Sequence, residues 1–162
     1  MAATLDTCSA FEDFYRAERQ AIVRAVTSTL NDSDLATESA DEAFARAYER
    51  WPEVAQMDNP SGWVYRVAVN LGRNRLKRLD LERRKTPPPG RDVPDIDAPP
   101  DPAIALALAR LPLSLQRVVV LRVLLDWQID EIAAALGCPR GTVKSRLHRA
   151  LRRLQSSLDR AA

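Results

Sequence analysis

A stretch rich in proline and aspartate limits what the rest of the chain can fold into. Residues 87–102 read PPPGRDVPDIDAPPDP and hold seven of the eleven prolines, four aspartates and few apolar side chains. Such a composition favours an extended polyproline tether, which at about 3.1 Å per residue spans on the order of 50 Å. We therefore predict a linker at 86–102 between a first domain at 1–85 and a second at 103–162, and we expect the two domains to move independently.

The rest of the chain has the periodicity of α-helices. Apolar residues recur three and four positions apart, and no segment alternates apolar and polar residues as a strand does. In the first domain the apolar positions of three helices are Phe11, Phe14, Tyr15, Ile22, Val26 and Leu30, then Ala40, Ala43, Phe44, Ala47, Tyr48 and Trp51, then Trp63, Val64, Val67, Ala68 and Leu71. Pro52 is expected to end the second helix, and two apolar helices meeting at Pro112 open the second domain. The sequence predicts an all-α fold of two small helical domains.

The charges are strongly segregated along the chain although the net charge is only +2. Residues 31–58 contain eight acidic residues against two basic ones. Residues 73–85 contain seven basic residues against two acidic ones, and residues 139–160 contain seven against one. Because the net charge is small, an argument for a nucleic-acid partner depends on these two basic stretches and not on a global field.

Several classes of function find no support in the sequence. Cys8 and Cys138 are too few and too far apart for a disulfide framework or a metal site, which favours a reducing compartment. His148 is the only histidine, and no nucleophile–base pair or phosphate-binding loop accompanies it. No apolar run reaches the roughly 20 residues of a membrane span, and the N-terminus lacks the regions of a signal peptide. We expect a cytoplasmic protein that is not an enzyme, needs no metal or cofactor and does not insert into membranes.

Residues 127–151, WQIDEIAAALGCPRGTVKSRLHRAL, have the pattern of a helix-turn-helix. A first helix presents Ile129, Ile132, Ala133 and Leu136 on one face, and a Gly-Cys-Pro turn precedes a second helix with Val143, Leu147 and Leu151. In this motif the second helix enters the major groove of DNA.

The inward apolar positions of the second helix fix which of its polar side chains face a groove. Lys144, Ser145, His148 and Arg149 are predicted to face base edges, and Arg140, Thr142 and Arg146 to hold phosphates. The alternative interpretation is a solvated basic helix. We favour that alternative for Arg152, Arg153 and Arg160 only.

The first domain contains a second candidate for nucleic-acid binding. Residues 62–78, GWVYRVAVNLGRNRLKR, mix aromatic and cationic side chains, a combination that suits single-stranded nucleic acid. Trp63 and Tyr65 at helical spacing are as often core residues, so the residues alone leave both interpretations open.

Taken together, these segments resemble the extracytoplasmic function (ECF, group IV) sigma factors of the bacterial sigma-70 family over nearly the whole chain. ATESADEAFARAYERW (36–51) and NPSGWVYRVAVNLGRNRLKR (59–78) resemble the family's region 2. LPLSLQRVVVLRVLLDWQIDEIAAALGCPRGTVKSRLHRALRRL (111–154) resembles region 4, in which GTVKSRLHRA is highly specific. Gln128 replaces the small hydroxyl residue usual at the start of the first motif helix and is a poor N-cap, which leaves Asp126 as an alternative cap.

The resemblance implies partners and roles. The partners are core RNA polymerase, through the clamp helices of its largest subunit and its flap region, promoter DNA and an anti-sigma factor. The residues implied to dock on core polymerase are Glu38, Asp41 and Glu42, with Phe44 supporting them from the core. For capture of the melted minus-10 strand, the resemblance implies that Trp63 gives structural support and that Asn70 lies at a base pocket. The residues implied to hold phosphates are Arg66, Arg73, Arg75, Lys77 and Arg78. The helix-turn-helix reads the minus-35 element as duplex.

The resemblance also explains the tether. The two promoter elements are about two helical turns apart, on the order of 60 Å at roughly 3.4 Å per base pair, and one compact domain cannot span this distance.

The main alternative is a one-component regulator that binds an operator and senses a ligand with its first domain. An enzyme is the weaker alternative. Binding to purified core polymerase distinguishes these classes from a sigma factor.

Overall fold

Eight α-helices run through residues 2–83 and 101–161, the part of the chain that the computed structural model describes, and this part contains no β-strand. In chain order they are α1 (Ala2–Leu30), α2 (Ser33–Glu49), α3 (Trp51–Val54), α4 (Pro60–Arg83), α5 (Pro102–Ala109), α6 (Leu113–Val123), α7 (Ile129–Leu136) and α8 (Arg140–Ala161). The prediction of an all-α fold is confirmed. Most of the predicted linker at 86–102 lies outside the described residues, and its last two residues already belong to α5, with Asp101 as N-cap and Pro102 as the first helical residue.

The first half of the chain is a bundle of α1, α2 and α4. Asp32 begins α2 by accepting a hydrogen bond from the Leu35 backbone N–H at 3.0 Å. The face of α2 toward its neighbours is built mainly from small residues, which lets the helix axes approach closely: Ala36, Ala40, Ala43 and Ala47 are all fully buried. On α4, Gly72 fits against Leu30 at a point where a side chain would collide with it.

Pro52 has a different role from the one expected. The second helix ends at Glu49, before the proline, and Pro52 lies in the first turn of the short α3. Proline suits this position because its missing N–H would have no partner in the first turn of a helix. Pro52 therefore begins a helix and does not end one.

An aromatic cluster closes one end of the first half. It joins α1, α2 and α3 through Phe11, Phe14, Tyr15, Phe44, Tyr48 and Trp51, with ring centroids between 4.9 and 6.3 Å apart. Most of these pairs are tilted or edge-to-face, the arrangements that the ring quadrupoles favour.

The second half packs α5, α6 and α7 around α8. Its core contains Leu115, Val118, Leu121, Ile132 and Val143, none more than 4% exposed. No helix in residues 2–83 and 101–161 has both the length and the apolar character needed to span a bilayer.

The two halves contact each other directly, and whether they also move independently stays a prediction. Their buried residues form one continuous hydrophobic cluster. The Gln116 side-chain amide donates to the Ser28 carbonyl at 2.8 Å, and the Asn59 amide donates to the Glu131 carbonyl at 3.2 Å. Gly62 of α4 also lies against Ala135 of α7. We call this contact between α1 or α4 and α6 or α7 the seam, and the conformation that contains it the closed arrangement.

Candidate nucleic-acid interface

The turn between α7 and α8 has the geometry of a helix-turn-helix. Gly137 ends α7 in the left-handed region at φ +63°, where a side chain would be strained. The next residue, Cys138, donates its backbone N–H to the Ala133 carbonyl at 3.1 Å. The helix α8 begins directly after Pro139, whose carbonyl accepts hydrogen bonds from the backbone N–H groups of Thr142 and Val143.

The start of α7 is capped by Gln128 and not by Asp126. The Gln128 backbone N–H donates to the Glu131 carboxylate at 2.7 Å, which is one half of a capping box. Asp126 lies in the loop before the helix with a positive φ of 51°, and its carboxylate is 3.7 Å from the Arg122 guanidinium. The acid at the third helical position therefore compensates for a poor N-cap residue.

The exposed face of α8 has the side chains that the sequence pattern placed there. Val143 is fully buried and Leu147 half-buried, whereas Lys144, Ser145, His148 and Arg149 are all exposed. The Ser145 hydroxyl donates to the Thr142 carbonyl at 3.1 Å. These four side chains form one exposed polar surface on the second and third turns of the helix.

The three residues predicted to hold phosphates lie in different surroundings. Arg140 is exposed and its guanidinium is 2.8 Å from the Asp130 carboxylate of α7. Thr142 and Arg146 are half-buried. The positive charge of Arg146 contributes to the lowered pKa of Arg117 on α6.

Five of the seven residues assigned to the minus-10 strand form a stripe along α4. Trp63, Arg66, Asn70, Arg73 and Lys77 are spaced by three, four, three and four positions, which aligns them on one helix face. Arg66, Asn70 and Lys77 are exposed, and Trp63 and Arg73 are half-buried. Arg78, also exposed, lies beside the stripe.

Arg75 lies apart from this stripe and contacts the acidic helix. Its guanidinium nitrogens are 2.6 Å from the Glu42 carboxylate and 3.1 Å from that of Glu38, both on α2. Sequence reasoning placed Arg75 on DNA because neighbouring basic residues were grouped by composition. Helical spacing alone separates it from the stripe, since it is two positions from Arg73.

The acidic residues predicted to dock on polymerase are paired within the chain. Besides Arg75, Arg46 lies 2.8 Å from Glu42, and Arg19 of α1 lies 3.0 Å from Asp41. The Asp41 hydrogen bond and charge raise the pKa of Arg19 even though its partial burial acts in the opposite direction. Asp41 and Glu38 nevertheless stay accessible, with side chains 47% and 67% exposed. Phe44 is only 2% exposed, in agreement with a supporting place in the core.

An apolar groove that sequence reasoning missed lies beside Asp41. A cavity of about 270 Å³ opens between α1 and α2, lined by Phe11, Tyr15, Asp41, Phe44, Ala45 and Tyr48. Tyr48 is 53% exposed, although its spacing predicted a core position. Helical spacing therefore predicted a core position for Tyr48, which lies at the rim of this groove.

Tyr65 belongs to the core, which decides between the two interpretations left open for it. It is fully buried and its hydroxyl is 2.8 Å from the Thr29 hydroxyl. Burial raises the pKa of the Tyr65 phenol to about 12. The ring is therefore inaccessible to a nucleic-acid base.

Arg117 of α6 is an unusual residue at the seam. Its Nε and Nη2 atoms are enclosed without a hydrogen-bond partner among the described residues. Burial lowers the pKa of Arg117, Tyr65 opposes this shift, and the positive charges of Arg73 and Arg146 lower the pKa further. No sequence signal distinguished this arginine within its apolar helix.

No group of three or more potential metal-ligating side chains is found in the described ranges 2–83 and 101–161.

Two family models match the chain. The model described as Sigma-70 region 2 matches residues 14–82, and the model described as Sigma-70, region 4 matches residues 102–154. The RNA polymerase sigma-E factor of Streptomyces avermitilis is 33% identical over 152 residues, covering 92% of this chain and 85% of the relative. The ECF RNA polymerase sigma factor SigW of Bacillus subtilis is 30% identical over 166 residues, covering 92% of this chain and 89% of the relative.

Solved structures share the fold. The sigma factor RpoE, solved in complex with the anti-sigma factor NepR from Bartonella quintana, superposes with a TM-score of 0.74 at 19% identity, covering 93% of this chain and 97% of that one. CnrH, solved in complex with the cytosolic domain of CnrY, superposes with a TM-score of 0.67 at 21% identity, covering 95% of this chain and 90% of that one.

Proposed function

Because the chain belongs to the sigma-70 family, as its motifs predicted, and is an ECF sigma factor of RNA polymerase, we propose that it binds core polymerase and selects promoters through two separate DNA contacts. The observation that carries the proposal is the pair of exposed polar faces, one on α8 and one on α4. A one-component regulator accounts for the first face only. As a sigma factor the chain is an initiation factor and not an enzyme.

The face on α8 reads the minus-35 element as duplex. Lysine and arginine donate to guanine O6 and N7 in the major groove, and serine can donate or accept there. Lys144, Ser145, His148 and Arg149 are exposed on a helix fixed to the domain by buried Val143. A rigid helix with four exposed polar groups is the arrangement that direct readout requires.

The stripe on α4 captures the melted minus-10 strand. Asn70, exposed between Arg66 and Arg73, takes an unpaired base, while Arg66, Arg73 and Lys77 hold phosphates. Half-buried Trp63 supports the helix, and Arg78 extends the basic edge. Arg75 acts indirectly, because its ion pairs with Glu38 and Glu42 fix α4 against α2.

The acidic face of α2 docks on the clamp helices of the largest polymerase subunit. Arg19 does not prevent Asp41 from contacting polymerase, because an exposed ion pair of this kind contributes only about 0–1 kcal/mol. The groove beside Asp41 adds an apolar contact, for which exposed Tyr48 is the outermost residue. The second half contacts the flap region of the polymerase.

The closed arrangement has to open before both promoter elements can be bound. The elements are on the order of 60 Å apart along B-form DNA, whereas Gly62 beside the α4 stripe and Ala135 of the helix-turn-helix are in contact. An anti-sigma factor that favours the closed arrangement would keep the protein inactive, and we propose such a partner because the neighbouring sigma factor RpoE was solved in complex with the anti-sigma factor NepR.

Transcription with purified core polymerase on promoters randomised in the minus-35 element tests the proposal. Arg149→Ala should cost about 1–3 kcal/mol on the preferred sequence and relax discrimination at one or two positions. Arg24→Ala, which removes an exposed arginine from α1, is the matched control and should change nothing. Uniform loss on all sequences with Arg149→Ala would exclude base reading.

Docking is tested separately by co-purification with core polymerase. Asp41→Arg with Glu42→Arg should abolish association while the far-ultraviolet circular dichroism stays helical, because reversed charges at an interface can cost several kcal/mol. Retention of a well-folded double variant on core polymerase would exclude this surface from docking.

A further inference from the structure

A cavity lined by arginines lies in the second half, apart from the exposed face at residues 144–149 of α8, the stripe on α4 and the acidic face of α2. It has a volume of about 420 Å³ and is lined by Arg110, Arg152, Arg153, Ser156, Ser157 and Arg160. One wall is the end of α5 and the other is the C-terminal part of α8. We call it the arginine cleft.

The packing of two helices fixes the walls of the arginine cleft. Ala107 of α5 is 4% exposed and Ala150 of α8 is fully buried, so the two helices are held together by their apolar faces. On α8 the successive lining residues from Arg152 to Arg160 are one, three, one and three positions apart, so they share one face. The cleft is thus formed without any contribution from its charged groups.

The four arginines of the cleft have no acidic partner among the described residues. None of them lies within 4 Å of a carboxylate in the described part of the chain, and no acidic residue lines the cavity. A basic residue in the last turn of a helix interacts favourably with the helix dipole, which accounts for Arg160. It does not account for Arg152 and Arg153, two turns earlier, or for Arg110 on the opposite wall.

The chemistry of the lining defines the ligand that fits it. Each guanidinium presents five N–H donors in a fork that matches two oxygens of a phosphate, and the two serines add hydroxyl donors. The residues that line the cavity are arginines and serines, with no carboxylate, aromatic or aliphatic residue among them. We propose that the arginine cleft binds consecutive phosphate groups, supplied either by a free linear polyphosphate or by a nucleic-acid strand.

Calorimetric titration of the full-length chain with sodium tripolyphosphate tests the site without polymerase. The wild type should bind at one saturable site per chain. Arg152→Ala with Arg153→Ala should weaken binding by at least about tenfold, because charge-assisted hydrogen bonds are lost. The matched control is Arg16→Ala with Arg24→Ala, which removes the same charge from exposed positions of α1 and should change the affinity by less than about twofold.

A second titration, with a duplex of arbitrary sequence at several salt concentrations, identifies the source of the phosphates. If a nucleic-acid strand occupies the cleft, the slope of log K against log salt should fall by about two in the Arg152→Ala, Arg153→Ala variant and stay unchanged in the control. Saturable tripolyphosphate binding with an unchanged slope identifies a free polyphosphate. Equal losses in variant and control, or neither saturable binding nor a changed slope, would overturn the proposal.

Discussion

The closed arrangement can be tested by adding a single methyl group at the seam. A Cβ atom at Gly62 would lie 2.7 Å from the Ala135 Cβ and 2.8 Å from the Asn59 side-chain nitrogen. Carbon atoms pack best at about 3.5–4.0 Å, so the two helices would have to separate by about 1 Å. Gly62→Ala is therefore expected to open the seam while leaving each half folded, since alanine is the best helix former.

The size of the effect follows from the cost of overpacking. Extra methyl groups in well-packed sites typically cost about 1–3 kcal/mol, and here the contact with Ala135 exists only while the seam is closed. Since each 1.4 kcal/mol is tenfold, the ratio of closed to open molecules should fall by roughly 5- to 150-fold.

Small-angle X-ray scattering measures this change. A compact chain of this length has a radius of gyration of about 15 Å, and separation of the halves raises it. Gly62→Ala should increase the radius relative to the wild type, with an unchanged helical signal in circular dichroism.

Two further variants control for other causes. Gly141→Ala adds the same methyl group on α8, where nothing lies within 4 Å, and should leave the radius unchanged. Ala135→Gly combined with Gly62→Ala removes the opposing methyl group and should restore the compact form. If Gly62→Ala scatters like the wild type, or if the second substitution fails to restore compaction, the seam is not the contact described here.

Other predictions concern single buried groups. Asn59→Asp keeps an oxygen to cap α4 but loses the donor to the Glu131 carbonyl at 3.2 Å, so it should raise the radius of gyration without lowering the melting temperature, and an unchanged radius would argue against this bond. Ser39→Ala removes a hydroxyl that is buried without a partner among the described residues, and should raise the free energy of unfolding by about 0.5–1 kcal/mol in urea titrations, where a decrease would contradict it. Burial raises the pKa of the Tyr65 phenol from 10.0 to about 12, so the contribution of the neutral phenol to stability is present below pH 10 and is lost as the pH rises to 12. The urea midpoint of unfolding should therefore fall between pH 10 and 12 more in the wild type than in Tyr65→Phe. Parallel curves for the two proteins would refute the assignment.

The surface of the helix-turn-helix could be predicted from sequence because it depends on local periodicity. Once Val143 and Leu147 face inward, helical geometry leaves few choices for Lys144 and Arg149. The same reasoning predicts the i, i+4 contact of Glu42 with Arg46.

Contacts between distant segments could not be predicted in this way. The partners of Arg75 and Asp41 lie on other helices, and spacing within one helix does not identify them. The linker composition predicted two domains, but composition alone does not say whether two domains joined by a tether contact each other. The closed arrangement depends on Gly62 and Ala135, two small residues without a sequence signal of their own.

We propose that Arg117, whose Nε and Nη2 atoms have no hydrogen-bond partner among the described residues, affects how much polymerase is needed to recruit this protein. Burying these two atoms without partners costs free energy in the closed arrangement, and we expect opening to relieve this cost. A partner that binds only the open form has an apparent dissociation constant equal to the intrinsic one divided by the open fraction. Replacing Arg117 by an apolar residue of similar length would thus shift activation to higher concentrations of polymerase, although the residue contacts neither polymerase nor promoter in the proposed complex.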